Sequence, residues 1–157
     1  MKKQLLRASA IFIFAITTTA VSASTQSARR IVVDIPFDFV VEKKTLPAGV
    51  YTIKNISRNS DATLLIRSAD GREAALVVTN PVEVSAAQKE SKLVFRQYGD
   101  QYFLSQVWTS GGNVGRQLPK SSTEQSLERE MAENVSSVEA AKNRPLQQTL
   151  TLVGRER

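Results

Sequence analysis

Apolar and polar positions alternate with a period of two at the start of the domain, and further apolar runs follow, punctuated by turn residues. Ile31 to Val41 (IVVDIPFDFVV) sets Ile31, Val33, Ile35, Phe37, Phe39 and Val41 against Asp34, Pro36 and Asp38, the pattern of a strand with one buried face. Pro36 has no N–H to give to a ladder, so the run lies at an edge or splits into two short strands there. Leu46-Pro47-Ala48-Gly49 reads as a turn, because proline fixes φ and glycine accepts a positive one. A second strand is expected over Val50 to Ile56.

Two hairpins follow. Thr63 to Thr79 folds back at Asp70-Gly71, pairing Leu65 with Leu76 and Ile66 with Ala75; a two-residue type I′ turn there needs φ > 0 at both turn residues. Both of its faces are apolar away from the turn, the composition of strands covered on both sides. Asn80 to Ser91 is polar, starts with Asn-Pro and reads as a connection. Lys92 to Trp108 (KLVFRQYGDQYFLSQVW) folds back at Gly99-Asp100, which opposes Phe95 to Leu104, Leu93 to Gln106 and Gln97 to Tyr102. The expected core face carries Leu93, Phe95, Tyr102, Leu104 and Trp108. The other face carries Arg96, Tyr98, Phe103 and Val107 among polar residues, as on a partly covered surface. Thr109 to Gly115 (TSGGNVG) lacks the helix and Lys-Ser/Thr context of a phosphate loop and reads as a flexible connector.

Helical periodicity occurs once. Pro119 and Ser121-x-x-Glu124, a capping-box spacing, introduce a helix over Ser121 to Lys142 with a narrow stripe of Leu127, Met131, Val135, Val138 and Ala141. It carries five glutamates against Arg129 and Lys142, a net charge of −3, whereas residues 24–119 hold 12 Lys+Arg and 9 Asp+Glu, a net of +3. The narrow stripe and the opposite charges together predict a helix held loosely on the β domain, able to offer Leu127 and Met131 to a partner groove. Asn143 to Arg157 reads as a tail or a short strand.

The N-terminus changes the charge picture. Lys2, Lys3 and Arg7, the apolar run Ala8 to Ala20 and Val21-Ser22-Ala23 form the three parts of a secretory signal, with cleavage expected after Ala23. At 1.5 Å rise per residue that run covers about 20 Å of a hydrocarbon core of roughly 30 Å, too little for a membrane anchor. Losing three of the 21 Lys+Arg leaves 18 against 15 Asp+Glu. A net of +3 spread along the chain does not suggest nucleic acid, whose footprint needs clustering. The expected organisation is signal peptide 1–23, linker 24–30, β domain 31–119, acidic helix 120–142 and tail 143–157, exported to the periplasm or beyond, with no transmembrane span once the signal is removed.

The chain has no His and no Cys. That excludes Ser-His-Asp and Cys-His nucleophilic systems, zinc sites of the usual ligand types and iron–sulfur clusters; no cofactor or metal is expected. Asp34 and Asp38, read as four apart on one strand, stand roughly 13 Å apart, too far for paired-carboxylate hydrolysis. Arg67, Arg96 and Arg116 are candidates for an anion site if their strands are neighbours, with solvated or paired arginines as the plainer alternative. Tyr51, Tyr98, Phe103 and Trp108 are candidates for a sugar-stacking surface. Candidate partner contacts are therefore Tyr98, Phe103, Trp108, Arg67, Arg96, Leu127 and Met131.

The combination of IPFDFVVEKKTLPAGVYTI, LVFRQYGDQYFLSQVW and GRQLPKS running into an acidic helix resembles a group of small exported proteins of unknown function from soil bacteria of the acidobacterial kind. The likeness covers Ile31 to Glu130 and implies no activity. The expected fold is all-β: an antiparallel β-sandwich or partly open barrel of about six to seven strands followed by one C-terminal α-helix, with a lipocalin-like closed barrel as the alternative. The expected function is a non-catalytic envelope protein binding a protein, peptide or glycan, set against a small β-barrel carrier of an apolar ligand and a carboxylate-based glycan hydrolase.

Overall fold

The computed structural model describes residues 30–56, 61–137 and 148–156. The expected signal peptide, the expected linker up to residue 29, the end of the expected helix and the start of the expected tail lie outside them, whereas Arg30, read as the last linker residue, begins β1. The described residues form eleven strands and one helix: β1 (Arg30–Ile35), β2 (Phe39–Val41), β3 (Lys44–Leu46), β4 (Gly49–Asn55), β5 (Thr63–Ser68), β6 (Ala74–Val78), β7 (Asn80–Glu83), β8 (Ser91–Tyr98), β9 (Gln101–Trp108), β10 (Val114–Gln117), α1 (Ser122–Ser137) and β11 (Gln148–Glu156). The strand count exceeds the expected six or seven because Pro36 and several turns cut long alternating runs into short pieces, and because two stretches read as connections are paired. Asn80 to Glu83 pairs with β10 despite Pro81, which an edge strand tolerates. Val114 to Gln117, partly inside the glycine-rich stretch, pairs with both β7 and β9.

The strands run in the order β3-β2-β9-β8-β11-β1-β4-β5-β6, with β10 bridging β9 and β7. Since β6 continues into β7 through Thr79, whose N–H and hydroxyl both donate to the Ala62 carbonyl, the sheet returns to β9 and nearly closes into a barrel. β2 runs parallel to β9, the one exception to antiparallel pairing among the described strands. A seam remains where β3 and β6 are not laddered. Lys44 spans it, with Nζ donating to the Ala74 carbonyl at 3.0 Å and pairing with Glu73 at 2.8 Å.

β11 lies in the middle of this sheet. It pairs with β8 from Gln148 to Gly154 and with β1 only at Arg155 and Glu156, so it joins the two halves of the barrel. Leu150 and Leu152 face the core, and Thr149, Thr151 and Val153 face out. Gly154 also faces in, where a Cβ would stand 2.4 Å from Ile31 Cγ2. Glu156 Oε1 accepts hydrogen bonds from the Ser91 hydroxyl and the Ser110 N–H, fastening the strand end to the β9–β10 loop.

The barrel interior is filled by side chains, among them Ile35, Phe39, Leu46, Tyr51, Ile66, Leu93, Phe95 and Leu118, all within 1% of full burial. Phe95 and Leu104 oppose one another on the core face as expected, but the hairpin register slips between Val94 and Phe95. Leu93 opposes Val107, not Gln106, because Ser105 is an extra residue in β9. The bulge inverts the last part of β9: Val107 joins the core cluster, and Trp108 moves to the outer face. The carbonyl of Ser105 is satisfied by the N–H of Leu118 at 2.8 Å.

The β5–β6 hairpin has the expected pairs, Leu65 with Leu76 and Ile66 with Ala75, but a different turn. Asp70 is not in the positive-φ region; only Gly71 is, at φ 74°. The Gly71 N–H donates to the Ser68 carbonyl and the Ser68 N–H to the Glu73 carbonyl, closing a four-residue loop of the kind built around a type I turn. Nor are both faces of β6 covered. Leu76 is 58% and Val78 63% exposed, because they lie on the outer face while Val77 between them points into the core.

Candidate functional site

The outer face of β8 and β9 is occupied by the fold itself. Arg96 is directly opposite Phe103, and Tyr98 packs edge-on against the Phe103 ring with centroids 5.7 Å apart. All three are buried, and so is Glu124 in the first turn of α1. Arg96 Nε donates to Glu124 Oε1 at 2.5 Å and Nη2 to Oε2 at 3.1 Å, a two-pronged pair. The Ser121 hydroxyl caps the helix by accepting the Glu124 N–H at 3.1 Å. Only this half of the anticipated capping box forms, since the Glu124 carboxylate turns to Arg96. Lys120 adds a second tie, donating to both carboxylate oxygens of Glu128 at 2.6 and 2.8 Å.

These contacts correct two expectations. Arg96 and the aromatic residues Tyr98, Phe103 and Trp108 are not presented to solvent, so none of them forms an open sugar-stacking surface; Tyr51 is likewise buried, its hydroxyl donating to the Pro47 carbonyl at 2.7 Å. The helix is also not held by exposed charges alone, because Glu124 is 2% exposed. Leu127 and Met131, half-buried, lie on the same side of α1 as Glu124 and Glu128. Trp108 lies on Gly115, where a Cβ would be 2.6 Å from the indole ring. Burial and the Glu124 carboxylate push the Tyr98 phenol above its ordinary pKa, and the Glu128 hydrogen bond raises Lys120.

The three arginines read as a possible cluster are separated. Arg96 is committed to Glu124, Arg116 pairs with Asp61 at 3.2 Å, and only Arg67 lines an open depression. Asp34 and Asp38 do not share a strand either: Asp38 follows the break at Pro36, and its Oδ1 accepts the Ala48 N–H at 2.8 Å.

The depression is a shallow groove of about 530 Å³ on the outer face of β1, β4 and β5, walled by the β5–β6 turn. Its lining is Arg30, Thr52, Lys54, Arg67, Ser68, Ala69, Asp70 and Gly71. The register explains the grouping. Arg67 is directly opposite Thr52, and Arg30 is directly opposite Lys54, two residues along β4 from Thr52. Directly opposed Cβ atoms are about 5 Å apart and diagonal neighbours about 7 to 8 Å. Thr52 therefore lies among three cations contributed by three strands. Arg155 of β11 extends the cationic row on the same face, across Val32. Among the described residues, no carboxylate pairs with Arg30, Lys54 or Arg67. Asp70 at the rim is engaged by the Ser68 hydroxyl at 2.5 Å and the Arg72 N–H at 3.1 Å, which hold its carboxyl below the ordinary carboxylate pKa.

Arg30, Thr52 and Lys54 escaped the sequence reading because their proximity depends on strand pairing. Arg67 was legible as a strand cation, without its neighbours. Among the described residues no group of three or more Asp or Glu could hold a metal, and no helix is long and apolar enough to cross a membrane. The chain matches no family model, and no similar curated protein or solved structure is found.

Proposed function

We propose that this protein is an exported, non-catalytic binding module whose outer sheet face engages an anionic glycan of the cell envelope. The observation that carries this reading is the open cationic groove. It brings Arg30, Lys54 and Arg67 together, and within its lining the one carboxylate, Asp70, is held in its own turn. The lining holds no aromatic side chain, and its character is set by Arg30, Lys54 and Arg67. A glycan bearing regularly spaced charges meets such a surface through long-range attraction and several weak contacts. Export rests on the three-part N-terminal segment. An apolar-ligand carrier has less support, since the barrel interior is occupied by Phe39, Tyr51, Phe95 and their neighbours.

Retention on immobilised polysaccharides tests the reading. The protein should be held by a carboxylated or phosphorylated polysaccharide, released by moderate salt and not held by a neutral one. Equal retention on the neutral matrix would refute an electrostatic mode. Salt-insensitive capture by an acidic peptide matrix alone would move the partner class to protein.

A further inference from the structure

The groove has a more specific geometry than a basic surface. Thr52 forms its floor, with Arg67 opposite it, Lys54 beyond it on β4, and Arg30 diagonal to it on β1. The turn Ser68 to Gly71 forms the wall nearest Arg67. Gly71 adopts φ 74°, and a Cβ on it would stand 3.0 Å from Arg67 Nη2, so the guanidinium lies against the glycine. The Arg67 head thus borders the turn at the edge of the groove. Three cations face one carboxylate in the lining, and that carboxylate is occupied by the Ser68 hydroxyl and the Arg72 N–H.

We infer that this groove is a binding site for a phosphate-type oxyanion, seated over Thr52. Arg67 supplies a planar fork of N–H donors from one side, Lys54 and Arg30 supply point and fork charges from the other, and the Thr52 hydroxyl donates from below. Donors converging from three directions suit a tetrahedral group with several equivalent oxygens, whereas a planar carboxylate uses one fork and leaves the other cations unpaired. The inference rests on the anionic-glycan reading and narrows it: the recognised group is a phosphoryl ester on the polymer. Free phosphate and a phospholipid headgroup present the same chemistry, and separate arms of the test distinguish them.

The protein is produced with its native N-terminal segment and titrated with inorganic phosphate at low salt, following amide resonances and heat. The expected result is saturable binding, with shifts concentrated at Thr52, Lys54, Arg67 and Gly71. Arg67→Gln and Lys54→Gln each weaken it at least ten-fold, and Thr52→Val weakens it several-fold. Asp34→Asn, on the same outer face but away from the groove, leaves the affinity within two-fold. Because Arg67 and Lys54 are exposed, unchanged melting temperatures establish that the variants are folded. A second arm compares a phosphorylated with a carboxylated polysaccharide, and a third uses phosphatidylglycerol vesicles. Tighter binding to the phosphorylated polymer than to the vesicles, abolished by Arg67→Gln, supports the polymer as source; the reverse order assigns the site to a lipid headgroup. Wild-type affinity for phosphate in Arg67→Gln and Lys54→Gln overturns the site. If polysaccharides are retained but these substitutions change nothing, the site fails and the binding reading stands. If no anionic polymer is retained at all, both fall.

Discussion

Arg96 of β8 and Glu124 of α1 form a buried two-pronged ion pair, their side chains 8% and 2% exposed. Two charges removed from water gain little over a well-packed apolar pair, but either one left alone is costly. Arg96→Ala and Glu124→Ala should therefore each destabilise the protein by about 3–5 kcal/mol, comparable to the 2–5 kcal/mol expected for Phe95→Ala or Leu104→Ala in the core. The double substitution Arg96→Met with Glu124→Leu should recover most of the loss. Urea midpoints of these variants test this; in the cycle of Arg96→Met, Glu124→Leu and their combination, simple additivity would mean that the pair does not hold the helix to the sheet.

Hydrogen exchange separates a loosely held helix from an anchored one. Amides from Leu127 to Met131 should be protected in a manner insensitive to salt, because the anchoring pair is shielded from solvent ions. Glu124→Gln should make the same amides exchange much faster while leaving Leu93 to Trp108 protected. Salt-accelerated exchange in the unsubstituted protein would return the helix to surface attraction alone.

Trp108 is the single tryptophan of the chain, and it rests on Gly115. A methyl group at residue 115 has no room beside a buried indole, so Gly115→Ala should cost about 1–3 kcal/mol, the usual range for overpacking. The tryptophan emission should shift to the red as the ring is displaced toward water. Gly112→Ala, whose Cβ would meet only the Thr109 carbonyl at 3.5 Å and the Val114 carbonyl at 3.8 Å, should leave both stability and emission unchanged.

Four glycines among the described residues are held at positive φ, and two of them flank β4 and the β5–β6 turn: Gly49 at φ 153° and Gly71 at φ 74°. Each should lose about 1–3 kcal/mol on substitution by valine. Gly49 is thus expected to be as intolerant as Gly71. Thermal melts of the two variants provide the check.

Alkaline pH should weaken the fold. Tyr51 and Tyr98 have phenol pKa values raised above 10.0, chiefly by burial, and Lys120 is raised above 10.5 by its hydrogen bond to Glu128. In each case the folded state holds its proton more tightly than the unfolded chain. The associated stability is fully present below the unfolded value and is lost as pH rises through the folded one. Urea midpoints should be flat from pH 7 to 9 and fall above about pH 10, with a shallower fall in Tyr98→Phe.

Much of the β framework was legible in the sequence. Period-two alternation located β1, the turn ending at Gly49 introduced β4, apolar runs around Asp70-Gly71 and Gly99-Asp100 located β5, β6, β8 and β9, and Pro36 marked the break between β1 and β2, because these signals act over a few residues. Asn143 to Arg157 read equally as a tail or a short strand, with no place in the sheet. Only the tertiary structure put β11 between β8 and β1, since pairing partners distant in sequence are chosen by the closure of the whole sheet. The extra residue at Ser105 had no local signature, yet it turned Trp108 out of the core and Val107 in, because one inserted residue reverses every later side chain. Arg96 looked like a surface cation until α1 was laid over it; a buried charge is tolerated only where its partner arrives from elsewhere in the chain. The groove followed the same rule. Arg30, Thr52, Lys54 and Arg67 lie on three strands, and strand register alone decided that their side chains share one face.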